Sequence, residues 1–146
     1  MLNQDYKDIL SILLARRVEF LLVGAYAMAA HGFPRATGDI DIFVNPSQAN
    51  AEKLIQTLQD FGSPLDRVST ADFTAPGVVL QIGVVPRRID ILTEIDGLTF
   101  AEAAADREIV EVEGLPIPVI SKQKLIINKL ATGREKDRLD AETLKG

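Results

Sequence analysis

LLVGAYAMAAHGFPRATGDIDIFV, residues 21–44, is the stretch of sequence that decides the fold. The apolar run Glu19–Val23 stops at a glycine, which predicts a buried strand followed by a tight turn. Ala25–Ala30 is rich in Ala and Met, which favours a short helix, and Pro34 cannot continue that helix. Asp39–Val44 alternates polar and apolar residues before becoming fully apolar, which predicts a second strand with one wet end.

The two aspartates of this second strand are the first candidate for chemistry. Asp39 and Asp41 are two residues apart, so their carboxylates project from the same face, while Ile40 and Ile42 point to the other. Asp is disfavoured in strands, and neighbouring carboxylates repel unless a cation lies between them or one is protonated. Mg²⁺ or Mn²⁺ fits, because such hard ions take carboxylate, water and phosphate oxygens. The alternatives are a solvated edge and, for Asp39, a turn residue after Gly38.

A third acid lies in the sequence RIDIL, residues 88–92. Ile89 and Ile91 flank Asp90, so this carboxylate alone faces the polar side of a predicted strand. If that strand lies beside the Asp39 strand, the three carboxylates converge, and three acids can hold two metal ions about 3.5–4 Å apart. The alternative for Asp90 is a surface role without function.

The rest of the chain predicts an α/β fold of the mixed, α+β kind rather than a regular βαβ repeat. The expected helices cover 5–16, 47–61, 99–105, 121–132 and 135–144, and the further strands cover 78–84, 108–112 and 117–120. The length of 146 residues suits one domain, residues 1–146, with the C-terminal helices 121–145 packed on it.

Composition excludes several classes of function. The absence of cysteine rules out disulfides, thiolate metal sites and a cysteine nucleophile, and one histidine, His31, cannot build a His-rich zinc site. We expect His31 to stabilise the end of a short helix. The net charge of −5 argues against a broad grip on nucleic acid. We expect a cytoplasmic protein without a signal peptide or membrane span, since the longest apolar stretch, Val18–Ala30, is short and contains Glu19.

Residues 21–44 resemble the signature of the nucleotidyltransferase fold superfamily: strand, glycine turn, short helix, then Asp-x-Asp on the next strand. The spacing Arg35-x-Thr37-x-Asp39-x-Asp41 is similar to the minimal bacterial branch, which includes the nucleotidyltransferase toxins of abortive-infection and toxin–antitoxin systems. In that branch a third acid lies on a later strand, which matches Asp90. The closing segment SKQKLIINKLATGREKDRLDAETL, residues 121–144, is also similar to that branch.

This resemblance implies a nucleotidyltransferase-like mixed sheet flanked by helices. It also implies Mg²⁺-dependent transfer of a nucleoside monophosphate from a nucleoside triphosphate such as ATP to a hydroxyl of a protein, an RNA or a small molecule. A toxin–antitoxin or phage-defence setting implies a cognate antitoxin or partner subunit. Gly24 and Ala25 would approach the triphosphate, Asp39 and Asp41 would bind metal, and Asp90 would be the third acid, activating the acceptor hydroxyl.

The same resemblance assigns nucleotide-binding roles to Arg35, Thr37 and Lys129. Arg35 could bind phosphate through its planar fork, or form only a surface salt bridge. Thr37 could simply cap its loop. Lys129 could reach phosphate, or extend to solvent.

Two further features leave alternatives open. Arg134, Lys136, Asp137 and Asp140 read as a solvated face of the last helix, unless Asp137 and Lys136 lock that helix to the sheet. Ala25 stands where the superfamily has a second glycine or a serine, and we expect no separate C-terminal substrate domain. The alternative function is therefore a catalytically degenerate module that binds a nucleotide or a partner.

Overall fold

The structure is a computed structural model that describes residues 2–146. Its helices and strands alternate along the first half of the chain, and two helices close it. In chain order they are α1 Gln4–Ala15, β1 Phe20–Val23, α2 Gly24–Ala30, β2 Asp39–Val44, α3 Gln48–Phe61, α4 Thr70–Thr74, β3 Val79–Ile82, β4 Arg88–Leu92, α5 Phe100–Ala104, β5 Glu108–Val112, β6 Leu115–Val119, α6 Lys122–Ala131 and α7 Glu135–Lys145.

The strands form one six-stranded mixed sheet in the order β3-β4-β2-β1-β6-β5. Strand β2 runs antiparallel to β1 and parallel to β4, so it is hydrogen-bonded on both sides. The strand that carries Asp39 and Asp41 is therefore held rigidly within the sheet. The predicted mixed α/β architecture, with helices flanking a mixed sheet, is confirmed.

The core forms where the apolar faces of the helices cover the sheet. In β2, Ile40 and Ile42 are completely buried, as the alternating pattern predicts. Helix α1 buries Tyr6, Ile9, Leu10 and Leu13 along one face. Its first turn is capped by Asn3, whose side chain accepts a hydrogen bond from the Tyr6 amide at 2.9 Å. The strand bearing the acids thus has a packed apolar back and a polar front.

Differences from the predicted elements are confined to short segments. Helix α4, Thr70–Thr74, was not predicted because five residues are too few to display a helical period. The strand expected over 78–84 ends at Ile82, since Gly83 turns the chain with φ of 78°. No helix among residues 2–146 combines the length and apolar character that crossing a membrane requires.

Candidate active site

The pairing of β2 with β4 brings three aspartates together. Asp41 pairs with Asp90 in the register of the parallel strands, and Asp39 lies on the same face as Asp41. One carboxylate oxygen from each of Asp39, Asp41 and Asp90 lies within 4.8 Å of the others. These three residues are called the acid cluster below. Asp90 is its most buried member, at 5% exposure.

The guanidinium of Arg88 lies between two members of the acid cluster. Its Nη2 donates to Asp39 Oδ2 at 2.9 Å, and its Nε donates to Asp90 Oδ1 at 3.0 Å. Sequence reasoning did not single out Arg88. The signal was its position two residues before Asp90 on one strand, which places both side chains on the same face.

The three acids differ in their affinity for protons. Burial, reinforced by the charges of Asp39 and Asp90, raises the pKa of Asp41 to about 7. Burial also raises the pKa of Asp90 above its ordinary value, against the hydrogen bond from Arg88. Burial acts the same way on Asp39, but hydrogen bonds from Thr37 and Arg88 outweigh it and hold its pKa below the ordinary value. The Asp41 carboxyl therefore holds its proton to a higher pH than an ordinary aspartate does.

Thr37 serves Asp39 directly. Its hydroxyl donates to Asp39 Oδ1 at 2.9 Å, while Arg88 occupies the other carboxylate oxygen. The Asp39 carboxylate is therefore oriented from both sides. The Thr37 hydroxyl therefore contacts an acid of the cluster. Thr37 also lines the cavity described next.

The acid cluster opens onto a cavity of about 490 Å³, within the size range of small-molecule and cofactor sites. Its lining includes Gly24, Ala25, Asp39 and Asp41. Four basic residues also line it and are called the cation wall below: Arg35, Lys129, Arg134 and Lys136. Four further acids complete the charged lining: Glu94, Asp96, Asp137 and Asp140. Asp90 does not line the cavity. The structure thus places the other seven predicted site residues, Gly24, Ala25, Arg35, Thr37, Asp39, Asp41 and Lys129, around one space.

Gly24 begins α2 with a positive φ of 68°. A β-carbon there would overlap Asp41 Oδ2. Glycine is thus needed twice, for its backbone conformation and for the close approach of a carboxylate. Position 25 has neither requirement, so the alanine found there, in place of a second glycine, is compatible with the turn.

Arg35 and Lys129 are joined through one buried acid of α7. Arg35 Nη1 lies 2.7 Å from Asp140 Oδ1, and Lys129 Nζ lies 3.0 Å from Asp140 Oδ2. The Lys129 side chain is only 13% exposed, so it does not extend to solvent. The salt bridge that was the alternative prediction for Arg35 does form, but its partner, Asp140, is buried and not on the surface.

The expectation that Asp137 and Asp140 lie on a solvated helix face is wrong. Both are buried, because α7 turns this face against α6. Asp137 accepts hydrogen bonds from Thr132 and Arg134, each at 2.8 Å, and contacts Lys129 rather than Lys136. The alternation of charges in this segment resembled a solvated face because periodicity does not report what packs against a helix.

His31 occupies the C-terminal cap of α2, as expected. Its Nε2 lies 2.8 Å from the carbonyl oxygen of Ile120. The contact joins the end of α2 to the segment before α6, and His31 does not line the cavity.

A mixed sheet with a glycine turn after one strand and an Asp-x-Asp pair on the next defines the nucleotidyltransferase class of fold. The chain belongs to the family described as nucleotidyl transferase of unknown function (DUF2204), whose model matches residues 2–145. Membership makes it a nucleotidyltransferase by family. No protein of curated function matches the sequence.

Solved structures support the same fold. A candidate nucleotidyltransferase from Thermotoga maritima, TM1012, is 22% identical over 99% of this chain and 93% of its own, with a TM-score of 0.67. The crystal structure of ANT(2")-Ia in complex with adenylyl-2"-tobramycin is 14% identical over 95% and 84%, with a TM-score of 0.60. The solution structure of the antibiotic-resistance factor ANT(2'')-Ia has a TM-score of 0.58 at 14% identity, over 96% and 80%.

Proposed function

We propose that this protein transfers a nucleoside monophosphate from a nucleoside triphosphate to a hydroxyl acceptor. The observation that carries the proposal is a single cavity that is lined both by Asp39 and Asp41 of the acid cluster and by the cation wall. A triphosphate carries negative charge at one end of the molecule, and four basic residues around a cavity of this size suit it.

The acid cluster fits a divalent metal, Mg²⁺ or Mn²⁺. Three carboxylates offer oxygens within 4.8 Å of one another, and oxygen-only ligands are what these ions prefer. The carboxylate of Asp41 accepts no hydrogen bond from any residue of the described chain, so its two oxygens are available to a metal ion. When bound, the ion would neutralise charge on the triphosphate and acidify the attacking hydroxyl.

The chain's own residues would position the reactants. Gly24 and Ala25 would let the main chain approach the phosphates, while Lys129 and Arg35, which also line the cavity, would supply positive charge. The acceptor oxygen attacks the α-phosphorus, and the bond from that phosphorus to the bridging oxygen of the leaving pyrophosphate breaks. The proton of the hydroxyl passes to a carboxylate, for which we propose Asp90.

The class of acceptor and the biological setting are further parts of this proposal. ANT(2")-Ia is named with an adenylylated tobramycin, which suggests a small-molecule hydroxyl as one class of acceptor, beside protein and RNA hydroxyls. A cytoplasmic toxin–antitoxin or phage-defence role, with a cognate antitoxin or partner subunit, rests on the sequence resemblance of residues 21–44.

A second candidate is a module that binds nucleotide without transfer. The observation that favours it is that both carboxylate oxygens of Asp90, the acid proposed to take the proton, accept hydrogen bonds from Arg88. This reading predicts nucleotide-dependent stabilisation without release of pyrophosphate.

The deciding experiment combines binding and turnover. Thermal unfolding is followed with ATP, GTP, CTP and UTP, with and without Mg²⁺, for the wild type, Asp39→Asn and Asp41→Asn. A ligand at 100 times its Kd adds about 2.7 kcal/mol of stability. Pyrophosphate release is then measured with hydroxyl acceptors of the three classes. Asp60→Asn, which alters an exposed acid far from the cavity, is the matched control.

We expect a Mg²⁺-dependent shift that both site variants lose and the control retains, followed by transfer to one acceptor class. A shift without any pyrophosphate would establish the binding module. No shift with any triphosphate would contradict both candidates.

A further inference from the structure

Arg88 is the one cationic side chain within residues 2–146 that hydrogen-bonds the acid cluster. Its guanidinium remains charged at every physiological pH. Three ionised carboxylates and this guanidinium together carry two net negative charges. A single divalent cation neutralises that charge, whereas a second would leave the cluster positively charged.

Arg88 does not line the cavity. Asp39 and Asp41 do line it, while Asp90 does not. Arg88 bridges Asp39 and Asp90, so its charge is placed on these two acids and not on Asp41. The carboxylate without a hydrogen-bonding cation, Asp41, lies on the cavity side.

We propose that Arg88 takes the place of a second divalent cation, so that the acid cluster of the nucleotide-free protein binds one metal ion, on its Asp39–Asp41 side. Three acids can otherwise hold two such ions. The inference rests on the proposed function, because it presumes that the cluster binds a divalent metal.

The surroundings of Arg88 hold it in this place. Its neighbours on β2 and β4 are paired in register, with Asp39 opposite Arg88 itself. The hydroxyl of Tyr6, which is completely buried, donates to the Arg88 carbonyl oxygen at 2.9 Å. Nη1 makes no hydrogen bond within the described chain, and the side chain is 30% exposed.

The test is to count Mn²⁺ ions bound by the purified, nucleotide-free protein, using equilibrium dialysis and the electron paramagnetic resonance signal of free Mn²⁺. We expect one ion for the wild type and two for Arg88→Gln, with at least tenfold tighter binding of the first ion. Arg87→Gln is the matched control. It removes the same charge one residue away, where the exposed Arg87 side chain makes no hydrogen bond or ion pair in the described chain, so it should bind one ion.

Arg88→Lys keeps the charge and should also bind one ion. Arg88→Lys keeps the inference testable if Arg88→Gln unfolds, because the wild type and Arg88→Lys must then each still bind one Mn²⁺ ion. Two ions in the wild type, or one ion in a folded Arg88→Gln, would overturn the inference. A wild type that binds no Mn²⁺ would overturn the metal site of the proposed function as well, so the two failures are distinguishable.

Discussion

The α-carbon of Gly24 rests against the carboxylate of Asp41, so closely that a β-carbon at Gly24 would overlap Asp41 Oδ2. The turn after β1 and the acid on β2 therefore share one space. Gly24 cannot gain a side chain without displacing the Asp41 carboxylate, since β2 is fixed by hydrogen bonds on both sides.

Gly24→Ala should abolish Mg²⁺-dependent nucleotide binding. The substitution strains a positive φ of 68° and displaces the Asp41 carboxylate. Gly62→Ala is the control, because it has a φ of 89° with no atom near the added carbon. Each variant should lose about 1 kcal/mol of unfolding free energy through backbone strain, measured by urea denaturation. Unchanged nucleotide binding in Gly24→Ala would contradict the close packing of the two residues.

The metal-free protein should become less stable as the pH rises from about 4 to 7. The pKa of Asp41 is about 7 in the folded protein, above its ordinary value of 3.8, so the folded state binds more protons across this range. The raised pKa of Asp90 acts in the same direction. Asp39, whose pKa is lowered, loses its stabilising contribution only below its ordinary value. Urea denaturation in EDTA at several pH values checks the slope.

Two comparisons isolate the source of this slope. Asp41→Asn should reduce it, because the amide does not titrate. Mg²⁺ should restore stability most at pH 7 and above, where the acids are ionised, and should release protons on binding at pH 6. Stability that rises from pH 4 to 7 in EDTA would refute the assignment.

Asp140→Asn should destabilise the protein by about 3 kcal/mol, in the range found when one partner of a buried ion pair is removed. Asp140 is 5% exposed and bridges Arg35 and Lys129, so its loss leaves Arg35 without an ion-pair partner and Lys129 with Asp137 alone. Glu135→Gln on the same helix breaks an exposed pair with Arg138 and should cost less than about 1 kcal/mol. Equal losses in chemical denaturation would argue against the buried network.

Tyr6→Phe should destabilise the protein by about 1 kcal/mol. The phenol donates to the carbonyl oxygens of Arg88, at 2.9 Å, and Pro86, at 3.3 Å, at the start of β4. Tyr26→Phe is the control. Its ring packs edge-on against Tyr6 with centroids 5.5 Å apart, but its hydroxyl makes no hydrogen bond within residues 2–146. A loss of equal size in both variants would assign the effect to packing.

The sequence predicts those features that depend on local periodicity. The period of two places Asp39 and Asp41 on one face, and the glycine turn before α2 follows from an apolar run stopped by Gly24. The meeting of Asp90 with the other acids required β4 to lie beside β2. Strand order is decided by packing over the whole sheet. The local sequence pattern could therefore predict the meeting of the three acids only on the assumption that β4 lies beside β2.

The errors concern charges whose partners are distant in sequence or hidden by packing. Arg88 was not predicted as part of the site. Its hydrogen bond to Asp39 joins residues 49 positions apart, and its place two residues before Asp90 was the one local signal. Asp137 and Asp140 were assigned to solvent because a helical pattern of charges looks the same whether or not a second helix covers it. Their burial follows from the contact of α7 with α6.

Two acids of the cluster and most of the cation wall come from separate stretches of the chain. Asp39, Asp41 and the glycine turn lie within residues 24–41, as does Arg35, whereas Lys129, Arg134 and Lys136 come from α6, α7 and the segment between them. A chain that differed only in residues 122–145 would therefore change three of the four basic residues of the cavity and leave Asp39 and Asp41 in place.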